Sequence, residues 1–132
     1  MKNKNWTPYV LKLEQEKYYV GITSQTPEKR FQEHLHGRKT HWTAEYPPIK
    51  IADTKYLGDL DKKDAEEYEK KVTRYYMKEK GINNVRGGDL TDVSNYKIRF
   101  GNVYDDATWW LLSIIILQML IMWALFAYIL FR

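Results

Sequence analysis

The sequence predicts a small domain of the α/β (α+β) class followed by one apolar helix, and three observations lead there. The apolar residues divide unevenly: 22 of the 25 residues from Ala107 to Phe131 are apolar, the exceptions being Thr108, Ser113 and Gln118, and 36 are left in the first 106. That remainder suffices for one small core and not for two, which explains a mean hydropathy of -0.61 in a chain that is 44% apolar. The patterned segments run strand, strand, helix, strand, helix, too short a series for a dinucleotide-binding unit. There is neither a Gly-x-Gly-x-x-Gly nor a Walker sequence. No cysteine occurs, which excludes a disulfide scaffold, a zinc-thiolate site and a cysteine nucleophile.

Tyr9-Val-Leu-Lys-Leu13 alternates and is β-prone, Glu14 to Lys17 reads as a tight connection, and Lys17 to Thr23 reads as a second strand, so the two predict a hairpin. Period-two alternation places Tyr19, Gly21 and Thr23 on one face. A hydroxyl there stands beside a position with no side chain, leaving room for a ligand. Thr26-Pro27-Glu28 starts a helix, with a cap, a first-turn proline and an acid, and Gly37 closes it. Its buried stripe is Phe31 and Leu35, which leaves Arg30 and His34 together on a neighbouring face. After Pro47-Pro48 comes a third β-like run, Ile49 to Leu57. Asp61 then caps a longer helix reaching about Lys80 and ended by Gly81. Ala65, Tyr68, Val72 and Tyr75 or Tyr76 form its apolar stripe, bordered by Glu69.

From about Leu90 the chain is polar and weakly patterned and reads as a partly ordered linker. Trp109 to Phe131 is 23 residues without charge, about 34 Å long as a helix against roughly 30 Å of bilayer hydrocarbon. Thirteen of these residues are Leu, Ile or Phe, which outweighs the central Gln118, and Trp109, Trp110 and Tyr128 suit the headgroup level at either end. The expected division is therefore a domain over residues 6–90, a linker over 91–108 and a transmembrane helix over 109–131. A tail anchor in the lipid bilayer is the expectation. Lys97 and Arg99 upstream, against Arg132 after the helix, favour a cytoplasmic N-terminal domain.

Tyr9-Val-Leu, Tyr19-Val20-Gly21, Arg30 and His34 on the following helix, Glu69 and Asn84 together resemble the GIY-YIG nuclease superfamily in order and spacing, over roughly Trp6 to Gly88. The first signature half is degenerate, Thr7-Pro8-Tyr9 in place of Gly-Ile-Tyr, but keeps its tyrosine. Arg30-Phe-Gln-Glu-His34, Trp42-Thr43, Tyr76-Met77 and Gly81 to Gly88 also look like the single-domain members of bacteria, phages and large DNA viruses. The resemblance implies a small central antiparallel β-sheet flanked by helices. It further implies hydrolysis of phosphodiester bonds in nucleic acid, DNA in preference to RNA, with one divalent metal, Mg²⁺ or Mn²⁺, and no small-molecule cofactor.

That chemistry assigns roles to residues. Mg²⁺ keeps several waters, so one carboxylate, Glu69, with phosphate oxygens would hold it. Arg30 offers the phosphate a bidentate guanidinium. Tyr9 or Tyr19, the choice left open, would position or deprotonate the water. His34 would assist proton transfer or bind phosphate, Asn84 would order the region of Glu69 and bind substrate, and Gly21 would leave space for it. His34, His36 and His41 do not read as a metal cluster, because Phe31 and Leu35 fix the helix face and turn His36 away. Arg86-Gly87-Gly88 reads as a turn and Trp42 as a packing anchor. Before Gly101 there are 20 Lys and Arg against 15 Asp and Glu, with clusters at Arg38-Lys39, Lys62-Lys63 and Lys70-Lys71, a balance that permits nucleic-acid binding. The rival expectation is a tethered module that binds nucleic acid without turnover.

Overall fold

A computed structural model describes residues 3–37, 40–91, 96–99 and 102–132; Arg38 and Lys39 lie outside them. The chain divides into two compact units, Met1–Val93 and Ser94–Arg132.

In the first unit, β1 (Lys4–Leu13) and β2 (Tyr18–Thr23) form the expected antiparallel hairpin. β1 starts earlier than its alternation suggests and carries Pro8 within it. Proline is tolerated there because β1 changes partner at that point, pairing β4 (Gly58–Leu60) through Lys4 to Trp6 and β3 (Pro48–Thr54) from Tyr9 onward. The run expected from Ile49 to Leu57 is thus two strands. Between them, the Lys55 and Leu57 amides donate to the Pro8 and Trp6 carbonyls, and Gly58 takes a φ of +86°. The sheet order is β3-β1-β2-β5, with β4 also on β1. Its last strand, β5 (Val85–Gly87), runs parallel to β2, so the sheet is mixed, antiparallel except at this edge.

The helices cap as their sequences predict. α1 (Pro27–His36) begins at Thr26, whose side chain accepts from the Lys29 amide, and α3 (Lys62–Lys80) begins at Asp61, which accepts from Asp64. A short helix not foreseen from periodicity, α2 (His41–Glu45), is closed by a capping box between Thr40 and Thr43. One sheet face carries Tyr9, Leu11, Leu13 and Tyr19 against Trp42 of α2 and Phe31 of α1. The other packs on α3 through Val20 and Gly87. A side chain at Gly87 would strike the Val20 carbonyl and stand 2.8 Å from Thr73 Oγ1, so only glycine lets α3 approach.

In the second unit, β6 (Tyr96–Arg99) and β7 (Asn102–Asp105) pair antiparallel, and α4 spans Asp106–Phe131. The stretch read as linker therefore contains a hairpin, formed by runs too short to register as a periodic pattern. Thr108–Phe131 is long and apolar enough to cross a membrane, with mean hydropathy 2.5 and no part of that window buried.

Candidate active site

Tyr9 and Gly21 are direct cross-strand partners on β1 and β2. The space beside Gly21 is taken by the Tyr9 phenol, since a Cβ at position 21 would stand 2.5 Å from Tyr9 Oη. This corrects the expectation of ligand room there: the missing side chain seats a tyrosine. Tyr9 Oη lies 3.0 Å from His34 Nε2, and His34 Nδ1 lies 3.2 Å from Thr43 Oγ1. Thr43 is itself fixed by the Thr40 amide at 3.0 Å. The Tyr19 ring completes the group, 4.9 Å from the imidazole and 6.4 Å from the Tyr9 ring between centroids.

Arg30 stands one helical turn before His34, pairs with Glu33 and brings its charge to bear on the Tyr9 hydroxyl. Burial, then the Arg30 charge, push the fully buried His34 down to about 4, so the imidazole is neutral. Burial raises both phenols, and the Arg30 charge counteracts it more at Tyr9 than at Tyr19. Tyr19 is raised much further, by burial and then by Tyr9 and Glu69.

Glu69 projects from α3 and accepts from the Gly88 amide at 3.0 Å. Burial pushes its carboxyl up to about 7, against the Gly88 hydrogen bond; Glu66 and Asp89 add to the rise and Lys70 opposes it. Its charge reaches both Tyr9 and Tyr19. Glu66, Glu69, Lys70, Gly88 and Asp89 line a cleft of about 240 Å³. A half-buried carboxylate with one oxygen anchored to a backbone amide, two further acids at hand and space in front fits a hard divalent cation. Among the described residues no three His, Cys, Asp or Glu side chains converge, so Glu69 would be the main protein ligand, with water and substrate oxygens completing the shell.

Tyr9, Tyr19, Arg30, His34 and Gly21 are thus in one cluster, electrostatically linked to Glu69. Asn84 is not brought to it. Its amide donates to the Lys80 carbonyl at 2.7 Å and its Oδ1 accepts from Lys17 at 2.8 Å. That places it at the last turn of α3, eleven residues and about 16 Å along the axis from the level of Glu69. It ties α3 to the β1–β2 connection, and Gly88 takes the role of ordering Glu69. Arg86 is buried and stacks 4.5 Å over Trp42, whose indole donates to the Tyr18 carbonyl, so Trp42 anchors packing. His36 and His41 are exposed. The sequence reading had not singled out Thr43, Glu33 or Gly88 as parts of the site. Only the Thr40-x-x-Thr43 capping pattern hinted at the first.

Among protein families, the GIY-YIG catalytic domain matches residues 5–83. The chain belongs to the GIY-YIG family. The match ends just short of Asn84 and Gly88, and its mixed five-stranded sheet flanked by helices is that domain. The family is one of nucleases, which supports a nuclease-type, hydrolytic function here. Neither a curated protein nor a solved structure matches the chain.

Proposed function

We propose that this GIY-YIG protein is a membrane-anchored endonuclease that hydrolyses phosphodiester bonds of nucleic acid, DNA in preference to RNA, with one Mg²⁺ or Mn²⁺. The observation that carries this reading is the Tyr9 hydroxyl, 3.0 Å from the neutral His34 imidazole and acted on by the charges of Arg30 and Glu69. The α4 span, with Lys97 and Arg99 on its upstream side, supports an anchor that leaves the domain in the cytoplasm.

Arg30 draws the scissile phosphate to Tyr9. Tyr9 takes a proton from the attacking water as it passes its own to His34 Nε2, which accepts in the tautomer that carries the ring proton on Nδ1, toward Thr43. Thr43 holds the ring in place through Nδ1. Tyr19, the more strongly raised phenol, stays protonated. Glu69, once ionised, would hold a divalent cation, and such a cation would supply charge neutralisation at the phosphate and leaving oxygens.

The full chain in detergent should nick supercoiled plasmid with Mg²⁺ or Mn²⁺. Glu69→Gln and Arg30→Ala should each reduce the rate at least 100-fold, and Tyr9→Phe should cost more than Tyr19→Phe. Equal cutting by wild type and Glu69→Gln would sink the mechanism. A second reading, binding without turnover, is favoured by the degenerate Thr7-Pro8 half-motif and the burial of both phenols. DNA binding with no cleavage under either metal would select it.

A further inference from the structure

α3 carries a second cleft on the flank away from Glu69. With about 3.6 residues per turn, Tyr68, Val72 and Tyr75 lie on one side of the helix, and Glu66, Glu69 and Lys70 on the other. Against that first side and Asp53 of β3 lies a cleft of about 400 Å³ walled by Tyr68, Lys71, Tyr75 and Tyr76. It adjoins a smaller one bordered by Lys55 and Pro8, which shares Asp53 and Tyr68 with it. The rings are arrayed: Tyr75 meets Tyr76 edge-on at 5.6 Å, and Tyr76 lies 6.1 Å from Tyr18.

Two features of this cleft are not those of ordinary packing. Among described residues before the tail, the large apolar side chains left exposed are Ile49, Tyr56 and Tyr75. Tyr75, 61% exposed, is in the cleft wall, and Tyr56 follows Lys55. The local lysines also keep their charge available. Lys12, Lys62 and Lys70 form ion pairs, whereas Lys55, Lys71 and Lys80 form none among the described residues. Lys55 lies over the Tyr68 ring at 5.4 Å and Lys80 over Tyr18 at 5.5 Å. The one acid among the residues lining the cleft, Asp53, accepts from the Thr54 amide at 2.9 Å.

A protein-docking face is depleted of lysine at its centre. Exposed rings among unpaired lysines suit single-stranded nucleic acid, whose bases stack on aromatics while phosphates meet the cations. We propose that this cleft binds an unpaired stretch of nucleic acid flanking the cleaved bond, with a base on Tyr75 and phosphates on Lys71 and Lys55. The proposal rests on the nuclease reading and adds where the strand lies. Since α3 is about 10–12 Å across with its side chains, the strand crosses it by way of Lys71 to reach Glu69.

Binding of a fluorescein-labelled 20-mer oligothymidylate is measured by anisotropy on the full chain in detergent, with Glu69→Gln as parent so that nothing is cut. Tyr75→Ala and Lys71→Glu should each raise Kd about tenfold, and Tyr75→Phe should restore parental binding. Lys71→Glu should lower the salt slope by about one or more. An abasic 20-mer should respond to Lys71→Glu and be indifferent to Tyr75→Ala. Both side chains border solvent, so melting temperatures should hold. A parent that binds, with Tyr75→Ala and Lys71→Glu unchanged, overturns the cleft and leaves the nuclease reading standing. A parent that binds neither DNA nor RNA overturns both.

Discussion

At the residue scale, two strongly perturbed groups of the site, Glu69 and His34, pull stability in opposite directions. Glu69 is raised from 4.5 to about 7, so between those values the folded protein holds a proton that the unfolded chain releases, and stability falls as pH rises. His34 is lowered from 6.5 to about 4, so in that window the unfolded chain binds a proton that the folded protein refuses, and stability falls as pH drops. From about pH 4.5 to 6.5 the two slopes offset each other. Glu69→Gln should unmask His34: in metal-free melts the variant should lose melting temperature on acidification from pH 6.5 to 4.5 more steeply than wild type, and exceed wild type above pH 7. Parallel curves for the two proteins would refute the opposed shifts. Spacing along the chain was enough to single out Tyr9, Tyr19, Arg30, His34 and Glu69. It was not enough for Thr43 and Gly88, because each reaches its partner from a different element and carries no chemistry of its own to mark it.

At the scale of elements, the β1–β2 register is what makes the site. Opposing Gly21 to Tyr9 lets the phenol lie across the strand and reach α1. Gly21→Ala should therefore displace the Tyr9 hydroxyl from His34, lowering nicking at least tenfold while melting falls by only a few degrees; unaltered nicking by this variant would refute the role of the register. The hairpin, α1 and α3 were legible because alternation, caps and closing glycines are local signals. β5 and α2 were not, since three and five residues hold too little pattern. The break between β3 and β4 was hidden as well, because it depends on β1 exchanging partners at Pro8.

At the scale of the molecule, the uncharged 23-residue run is a property of composition, and it carries a prediction about the whole chain. Expressed in cells, the protein should sediment with membranes and resist alkaline carbonate extraction. Ile115→Lys with Leu120→Lys, each charge costing about 2.5 to 3.5 kcal/mol near the helix centre, should release it; release of the parent by carbonate would refute the anchor. By itself the sequence determined the family, the apolar tail and most of the first unit's elements, and through the family's motif it named the candidate side chains of the site, since all of these are written in residue type and spacing. Only the tertiary structure decided that Gly21 seats Tyr9, that Arg30 acts on Tyr9 more than on Tyr19, that Gly88 holds Glu69 and that Asn84 stands apart. Those facts depend on strand register, on a parallel edge strand and on burial, and burial is set by residues distant in the chain.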